Sequence, residues 1–518
     1  MKPIEYRLPI GIQTFEEIRE GGYLYADKTA YVYKMTHRFK FVFLSRPRRF
    51  GKSLLCSTLK SYFEGRSDLF RGLAIDQMET EWQQHPVLLI SMASIKAGTE
   101  KEFNDKVNLQ LSRYENEYGL PKVGETPGAR LQNLIEQASV KTGQKTVVII
   151  DEYDAPLLSV MHHPEKLKEM RILVRSLYGC LKDCDNYLHF VFITGISKFS
   201  QLSIFSELNN LKLITMMPEY SAVCGITEDE LHQQWGEAVA DMAERMNTGI
   251  DETYQRLKER YDGYHFASDM TDVYNPFSLL NAIDEANLHD HWFETGTPTV
   301  LIEMLQKFRT DITRLDGSKA YPQDFDAPTE QLRSVLPLFY QSGYLTIKDY
   351  DPQLGIYTLG YPNNEVRTGV MRALIPNYVC YDTIATGITI ADLYRSLLDN
   401  DLNTALHLLR DFFATIPYAE GAANEGHFQQ MLYVVFSLMG MYLQTEVRTA
   451  RGRIDVVWKS PTDIYVFELK IDRPAREAID QIDRMDYLIP FTRDNRRLHK
   501  VGISFSTKAR TIEEYIIE

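Results

Sequence analysis

Short apolar runs separated by longer polar segments mark the first 225 residues of this 518-residue chain. Compact apolar runs bounded by turns are typical of strands buried on both faces of a sheet. Segments with helical character lie between successive runs, so the pattern predicts an α/β fold with a parallel sheet. The runs cover residues 41–44, 86–93, 147–150 and 189–193.

The first run leads through a basic turn into Gly51-Lys52-Ser53 and then into a helix-favouring segment. A phosphate-binding loop needs this order, because the helix start exposes N–H groups and the positive end of the helix dipole. Lys52 would reach the β- and γ-phosphates of ATP, and Ser53 would bind Mg²⁺. Arg46 stands where the usual motif has its first glycine, so we predict a variant loop. The predicted nucleotide-binding residues of this loop are Arg46, Pro47, Arg48, Arg49, Phe50, Gly51, Lys52, Ser53 and Leu54.

Polar residues follow the third and fourth runs, where parallel strands would meet at one edge of the sheet. Asp151 would hold the magnesium ion, and Glu152 would orient or deprotonate the attacking water. Thr194 is predicted to lie next to the γ-phosphate, and Ser197 and Lys198, which follow closely, are further candidates. A strand-end turn capped by Ser197 explains the same residues equally well, so both interpretations stay open.

A different pattern, strict alternation, occurs at residues 452–458 and 464–470. It predicts two strands of a hairpin, each with one apolar face. If the hairpin turns symmetrically about residues 461–462, Asp455 lies opposite Glu468, with Cβ atoms about 5 Å apart. Lys470 falls on the same face, because side chains alternate along a strand.

Two adjacent carboxylates repel each other unless a cation lies between them. Mg²⁺, or Mn²⁺, would suit Asp455 and Glu468 as hard oxygen ligands, and Lys470 could position or deprotonate a water that attacks a phosphate. The alternative is a solvated face on which these carboxylates pair only with Arg453 or Lys470, and surface pairs of that kind contribute little.

The order of motifs along the chain resembles that of bacterial AAA-ATPase-like proteins with a C-terminal nuclease domain of the PD-(D/E)XK superfamily. The resemblance implies a nucleotide-dependent NTPase, and Arg in the first-glycine place is usual in that family. The motifs are YADKTAYVYKM (25–35), SRPRRFGKSLL (45–55), VVIIDEYDAPL (147–157), ITGISKFSQLSIFSELNNL (193–211), YDGYHF (261–266), VYNPFSLLNAI (273–283), GRIDVVW (452–458) and VFELK (466–470).

The nuclease motif of that superfamily, Asp…Glu-x-Lys, matches Asp455, Glu468 and Lys470. The resemblance further implies that Glu425, before a predicted helix at 426–440, is an earlier acidic metal ligand. Gln481 and Tyr487 resemble an accessory glutamine–tyrosine pair.

The middle of the chain is predicted to be helical over residues 225–325, followed by a helix at 329–339 and a hairpin around residues 349–353. Helix plus hairpin resembles a winged helix, and bracing of an ATPase module is favoured over DNA binding because no basic cluster is present. Arg256, Arg260 or Arg309 could complete the ATP site, but the sequence does not choose among them, and an ordinary surface role is favoured for each. The predicted domains are a P-loop AAA-like domain (1–225), a helical lid (226–325), a winged-helix-like and helical linker (326–418) and a nuclease-like domain (419–518).

The net charge of −14 argues against indiscriminate coating of nucleic acid. Residues 421–518 hold 14 basic and 14 acidic residues, net zero, so a phosphodiester substrate suits this end best. Five scattered cysteines fit neither a disulfide framework nor a zinc site. No apolar run approaches a membrane span of about 20 residues, and no secretory signal is present, so we predict a cytoplasmic protein.

These patterns together predict an ATP-hydrolysing protein coupled to a Mg²⁺-dependent nuclease acting on nucleic acid, with DNA favoured. One alternative is a nucleotide-controlled switch or scaffold whose nuclease fold does not cleave. Another is an ATP-driven remodeller of protein partners. A homo-oligomer is compatible with each interpretation.

Overall fold

The computed structural model describes residues 6–95, 98–161, 163–197, 210–294, 304–305, 308, 310, 312–326, 334–378, 392–393, 395–397, 399–414, 443–449, 452–459, 462–506, 508–509 and 511–518. The chain divides into two compact units. The first contains residues 1–295 and 315–363, and the second contains residues 296–314 and 364–518.

A parallel sheet forms the centre of the first unit, as the continuous apolar runs predict. Its strand order is β2-β3-β4-β1-β5, and every neighbouring pair is parallel. Strand β4 therefore separates the strand before the phosphate loop from the strand that ends at Asp151. The strands are β1 (Phe41–Ser45), β2 (Val87–Ser91), β3 (Thr146–Asp151), β4 (Leu188–Gly195) and β5 (Lys212–Leu213).

Helices cover both faces of this sheet. Strand residues such as Phe43 and Ile150 belong to a core that also contains Phe103, Leu131 and Val174 from the surrounding helices. The helix after the phosphate loop contacts β2, β3 and β4. The helices up to this point are α1 (Phe15–Glu20), α2 (Thr29–Arg38), α3 (Lys52–Phe63), α4 (Ser67–Phe70), α5 (Glu100–Glu117), α6 (Pro127–Thr142), α7 (Ala155–Ser159) and α8 (Pro164–Asp183).

A helical segment follows, with an apolar core of its own that includes Trp235, Leu257 and Leu279. The first of its helices begins with a capping box in which Thr227 and Glu230 exchange side-chain and backbone hydrogen bonds. The segment contains α9 (Glu228–Arg245), α10 (Ile250–Tyr261), α11 (Pro276–Glu285) and α12 (His291–Glu294).

The predicted helix and hairpin are both present in the first unit, with a different helix start. Residues 334–335 are not helical, and α13 spans Leu336–Gln341, so Pro337 lies in the first turn, where its missing N–H costs little. Residues 329–333 lie outside the described residues. The hairpin belongs to an antiparallel sheet of order β6-β8-β7, formed by β6 (Ser318–Ala320), β7 (Thr346–Asp351) and β8 (Ile356–Gly360).

A mixed sheet of order β13-β12-β11-β10-β9 forms the second unit. Strands β11 and β12 are parallel and are joined through helix α16, whereas the other neighbouring pairs are antiparallel. Its elements are α14 (Asn364–Tyr378), α15 (Leu402–Ala414), β9 (Leu443–Thr449), β10 (Gly452–Lys459), β11 (Asp463–Ile471), α16 (Ala475–Arg484), β12 (Arg497–Ser506) and β13 (Thr511–Ile517).

Both faces of this second sheet are buried, whereas the alternation predicted one apolar face per strand. Trp458 and Phe467 pack in a core with Leu406 of α15. On the opposite face, Val466 packs with Ile479 of α16. The prediction missed the second core because the strand residues alone do not reveal that a crossover helix covers them.

Short 3-10 helices connect several of these elements. They span Ala74–Gln77, Asp185–Tyr187, Pro218–Tyr220, Ile312–Arg314, Pro322–Asp326 and Ile489–Phe491. The predicted domain boundaries at residues 225, 325 and 418 stay predictions. Among the described residues, no helix combines the length and apolar character needed to cross a membrane.

Candidate functional site

The loop between β1 and α3 has backbone features that suit an anion. Arg49 and Gly51 have φ values of 68° and 86°, and left-handed residues in such a turn help to direct backbone N–H groups toward an anion. The N–H of Leu55 donates to the carbonyl oxygen of Gly51 at 3.0 Å. The N–H groups of residues 52–54 precede this bond and have no acceptor within the helix, so they favour a negatively charged ligand.

Arg46 uses its side chain inside the protein. It is 1% exposed, and its guanidinium donates to the carbonyl oxygens of Thr215 at 2.8 Å and Tyr220 at 2.9 Å. The same group lies 4.2 Å from the centre of the Phe266 ring. These contacts hold residues 215–220 against the start of the loop, and a nucleotide-binding role for Arg46 stays a prediction.

Aromatic rings pack against the loop, and one of them, Phe266, also contacts Arg46. The ring of Phe50 lies 4.8 Å from that of Tyr264 and 5.3 Å from that of Phe266, in edge-to-face arrangements. Pro47 packs so closely against Gly343, where φ is 85°, that a Cβ at Gly343 would collide with the proline ring. Tyr264 and Phe266 of the segment 261–266 therefore pack around the loop.

Lys52 lies across the loop. Its Nζ donates to the carbonyl oxygens of Arg46 at 3.1 Å and Pro47 at 2.9 Å. Burial lowers the pKa of Lys52, and the charges of Glu152 and Asp151 oppose that effect. The predicted phosphate-binding cation and the predicted acidic pair thus belong to one electrostatic cluster.

A cavity of about 950 Å³ lies beside the loop, a volume suited to a nucleotide-sized ligand. Glu152 lines it and has a positive φ of 52°, a strained conformation that is frequent at functional sites. Burial raises the pKa of Glu152 and the nearby Lys52 lowers it. Of the other predicted residues, Arg48, Arg49, Phe50, Gly51, Lys52, Ser53 and Leu54 line the cavity, whereas Arg46, Pro47, Asp151 and Thr194 do not.

The chemistry of Asp151 and Ser53 fits a magnesium ion. Asp151 ends β3 and is buried, and its Oδ1 has no hydrogen-bond partner among the described residues. Ser53, in the first turn of α3, adds a hydroxyl oxygen. Carboxylate and hydroxyl oxygens are the ligands Mg²⁺ prefers, and a cation would satisfy the unpaired oxygen of Asp151.

Thr194 is fully buried, and its hydroxyl donates to the carbonyl oxygen of Leu44 at 2.7 Å. Its predicted role beside the γ-phosphate stays a prediction. Asp154, which the sequence reasoning did not select, lines the cavity and accepts hydrogen bonds from the amide of Ser197 at 2.7 Å and from its hydroxyl at 2.5 Å. The sequence signal that could have identified Asp154 is its position three residues after Asp151, at the end of the same apolar run.

The segment before the first strand contains helix α2 and also reaches the cavity. Asp27 accepts a hydrogen bond from the amide of Thr29, the first residue of that helix, at 2.9 Å, whereas the N-cap residue Lys28 makes no side-chain capping bond. Lys28 lines the cavity and donates to both carboxylate oxygens of Glu230 at 2.6 Å. This ion pair links the segment to the start of α9.

The strand register in the second unit agrees with a symmetric hairpin. Val456 pairs with Phe467, so the next pair along the strands is Asp455 with Glu468. Oδ2 of Asp455 accepts the backbone N–H of Leu469 at 2.9 Å. The two carboxylates are therefore neighbours at one end of the β10–β11 pair.

A buried polar network surrounds Glu468, which is 3% exposed. Lys470 donates to Oε1 of Glu468 at 2.9 Å and to the amide oxygen of Gln481 at 2.8 Å. Gln481 donates to the same Oε1 and to the hydroxyl of Tyr487 at 3.4 Å. Helix α16 thus brings the suggested accessory pair to the predicted site, and a freely solvated Glu468 is excluded.

The electrostatics of Glu468 also fit a divalent cation. Burial raises the pKa of Glu468, and the charge of Asp455 raises it further. Oε2 of Glu468 is buried and has no hydrogen-bond partner among the described residues. A cation bound by Asp455 and Glu468 would offset both the burial cost and the repulsion.

Some predicted residues are not brought to either site. Arg256 pairs with Glu252 at 2.5 Å, and Arg260 pairs with Asp290. Glu425 with its predicted helix at 426–440, and also Lys198 and Arg309, lie outside the described residues.

Comparisons with known proteins agree with both halves of this architecture. A family model described as a predicted AAA-ATPase matches residues 9–205, and one described as the PD-(D/E)XK nuclease superfamily matches residues 423–515. The chain is also 34% identical over 523 residues, 99% of each protein, to an uncharacterized protein in the vnfD 5′ region of Azotobacter chroococcum mcd 1. The chain therefore belongs to the family of AAA-ATPase-like proteins that carry a C-terminal PD-(D/E)XK nuclease superfamily domain. This membership confirms the predicted ATPase–nuclease architecture.

Proposed function

We propose that the protein hydrolyses ATP at the loop 46–54 and cleaves phosphodiester bonds of nucleic acid, with DNA favoured, at Asp455, Glu468 and Lys470. The observation that carries the nuclease half is the burial of Glu468 beside Asp455, with one carboxylate oxygen unpaired. An ion pair with Lys470 alone does not explain the unpaired oxygen, because a buried carboxylate oxygen without a partner destabilises the fold.

At the ATP site, Lys52 and the N–H groups at the start of α3 would bind the β- and γ-phosphates. Glu152 lines the cavity, and its raised pKa suits a group that accepts a proton from the attacking water. Ser53 and Asp151 would hold Mg²⁺, which neutralises charge on the phosphates. Burial of these groups strengthens each interaction relative to water.

At the nuclease site, Asp455 and Glu468 would hold Mg²⁺ or Mn²⁺, which stabilises charge on the phosphodiester. Lys470, kept in place by Glu468 and Gln481, would orient the attacking water. The strand pairing and the covering helix fix these side chains before substrate binds, and such preorganisation is what catalysis requires.

The ATP site is tested by Lys52→Ala, with Lys60→Ala on the same helix as a matched control. Lys60 lies at the surface and pairs with Glu64 at 3.0 Å. We expect ATP hydrolysis to fall by about a hundredfold or more in Lys52→Ala, by analogy with the loss of one charge-stabilising group, and to persist in the control. Unchanged hydrolysis in Lys52→Ala would contradict the assignment.

The nuclease site is tested by nicking of single- and double-stranded DNA and RNA with magnesium or manganese. Glu468→Gln and Lys470→Met should abolish cleavage, and Glu477→Gln, an exposed residue on α16, should not. Wild-type protein that binds the metal without cleaving any substrate would instead support a non-cleaving scaffold.

We further propose that ATP binding or hydrolysis controls the nuclease, a hypothesis motivated by the presence of both sites in one chain. Cleavage by the wild-type protein should depend on ATP, and cleavage by Lys52→Ala should not respond to it. Equal wild-type cleavage with and without ATP would exclude this coupling.

A further inference from the structure

Glu152, the residue proposed to act on the attacking water, has a backbone conformation that the fold must impose. Its φ of 52° lies in the left-handed region, although the residue carries a side chain. A residue other than glycine adopts this region at an energetic cost, and it stays there only where the surrounding structure fixes its neighbours. The contacts of the adjoining residues therefore determine where the carboxylate of Glu152 lies.

Hydrogen bonds to the sheet hold the backbone on both sides of Glu152. Asp151 is the last residue of β3, and its carbonyl oxygen accepts the N–H of Met92, just after β2, at 2.9 Å. On the other side, the N–H of Tyr153 donates to the carbonyl oxygen of Thr194 on β4 at 3.0 Å. The turn that contains Glu152 is thus attached to both neighbours of β3.

The side chain of Tyr153 attaches the same turn to three further parts of the fold. Its ring meets that of Phe43 on β1 edge to face at 5.5 Å, and its hydroxyl donates to the carbonyl oxygen of Ser197 at 3.0 Å. The hydroxyl of Tyr178, on α8, donates to the carbonyl oxygen of Tyr153 at 3.4 Å. A change in the backbone of Glu152 would break several of these contacts.

Asp154 attaches the turn to the segment after β4 through its carboxylate. It is fully buried, and its Oδ2 accepts the N–H groups of Ile196 at 3.1 Å and Ser197 at 2.7 Å and the hydroxyl of Ser197 at 2.5 Å. Asp154 precedes α7, but its side chain makes no capping bond to that helix. The carboxylate is therefore used between segments, and hydrogen bonds to a carboxylate are stronger than those to a neutral acceptor.

Gly195 permits the close approach of these two segments. A Cβ at this position would collide with the carboxylate of Asp154 and with the ring of Tyr153. Glu152, Asp154 and Ile196 all line the cavity beside the phosphate loop. The contact between the turn and the end of β4 is thus part of the cavity wall.

We propose that Asp154 is a positioning residue for ATP hydrolysis. It fixes the turn after β3 to the end of β4 and thereby holds Glu152 where that residue can act on the attacking water. Preorganisation of a catalytic group by buried hydrogen bonds raises the rate of the chemical step without adding affinity for the nucleotide. This inference rests on the proposed ATP site and on the role of Glu152 in it.

The test compares ATP hydrolysis with ADP binding in the full-length protein. Asp154→Asn keeps the size of the side chain but replaces one acceptor oxygen by an NH2 group, which cannot accept from the donors of Ile196 and Ser197. We expect its kcat for ATP hydrolysis to fall about 10–100-fold, the usual loss when a residue that orients a functional group is changed. The Kd and the stoichiometry of ADP binding, both measured by calorimetry, should match those of the wild type.

A double substitution separates positioning from a direct role. Glu152→Gln should slow single-turnover hydrolysis of labelled ATP by about a hundredfold or more, because it removes the proposed base. If Asp154 acts through Glu152, addition of Asp154→Asn to Glu152→Gln should slow hydrolysis no further, since the effects of residues that act as a unit do not add.

Two further variants test the hydrogen bonds themselves. Ser197→Ala removes only the hydroxyl that donates to Asp154, so its kcat should fall about fivefold, the contribution of one hydrogen bond. Asp76→Asn is the matched control, because Asp76 also accepts a backbone N–H, that of Gly72 at 3.0 Å, and does not line the cavity. This control should hydrolyse ATP as the wild type does.

The outcomes separate the inference from the function on which it rests. Wild-type kcat in Asp154→Asn would overturn the positioning role, and so would a loss of ADP binding that parallels the loss of hydrolysis. A further fall in rate when Asp154→Asn is added to Glu152→Gln would overturn it as well, since Asp154 would then act independently of Glu152. Wild-type hydrolysis by Glu152→Gln would instead overturn the role of Glu152, and wild-type protein that does not bind ADP would overturn the ATP site itself.

Discussion

Asp262, at the end of α10, is a buried carboxylate whose removal should stabilise the protein in a pH-dependent manner. It is 2% exposed, and both of its side-chain oxygens are buried. Burial raises the pKa of Asp262 to about 7, the amide of Gly263 lowers it, and the charge of Asp272 raises it. Lys258 lowers it and Glu228 raises it by smaller amounts.

The magnitude follows from the difference between the folded and unfolded states. A rise from 3.8 to about 7 corresponds to about 4 kcal/mol at 1.36 kcal/mol per pKa unit. The folded state binds the carboxyl proton of Asp262 more tightly than the unfolded state does. The favourable contribution of the protonated carboxyl group to the free energy of unfolding is therefore fully present below pH 3.8 and is lost as the pH rises toward 7. Asp262→Asn cannot ionise, so it should avoid this loss.

The assay is thermal unfolding of the wild type and Asp262→Asn at pH 5 and pH 8. We expect the Tm of Asp262→Asn minus the Tm of the wild type to be several degrees larger at pH 8 than at pH 5. Asp251→Asn, an exposed residue in the first turn of the same helix, is the control and should show no such gain. A Tm difference between Asp262→Asn and the wild type that is equal at both pH values would refute the reasoning.

Three other substitutions test packing and positioning. Gly195→Ala would place a Cβ in collision with Asp154, so we expect a loss of about 1–3 kcal/mol in urea unfolding, and an unchanged midpoint would contradict this packing. Arg46→Lys loses the planar fork that reaches separate backbone carbonyls, so it should destabilise by about 2 kcal/mol, whereas wild-type stability would show that the fork is dispensable. Gln481→Leu should lower nuclease activity about 10–100-fold through misplacement of Lys470, and full activity would exclude this positioning role.

Much of the architecture follows from local sequence patterns. Apolar runs at residues 41–44 and 147–150 are strands of a parallel sheet, and the alternation at 452–458 is a strand. Local signals suffice here because a strand buried on both faces must be apolar throughout, and a helix start after a Gly-Lys-Ser turn needs few residues to specify it. The order of these motifs was also enough to indicate the family.

The roles of single side chains were harder to predict. The sequence did not indicate that the guanidinium of Arg46 contacts carbonyl oxygens about 170 residues away, and the nucleotide-binding role of Arg46 stays a prediction. Asp154 was not selected, because its partner Ser197 is distant in sequence. Nothing local marks Gly195 as the point where the turn after β3 approaches β4, since a glycine at the end of a strand has the same pattern in an ordinary turn.

The sequence by itself determined which residues form strands, where the phosphate loop begins and which residues make the Asp…Glu-x-Lys motif. Only the tertiary structure decided that Glu468 is buried, that Gln481 reaches Lys470 and that Asp154 reaches the segment after β4. The physical reason is that strand and turn preferences depend on near neighbours, whereas burial, pKa and hydrogen-bond satisfaction depend on whatever distant segment the fold packs against them.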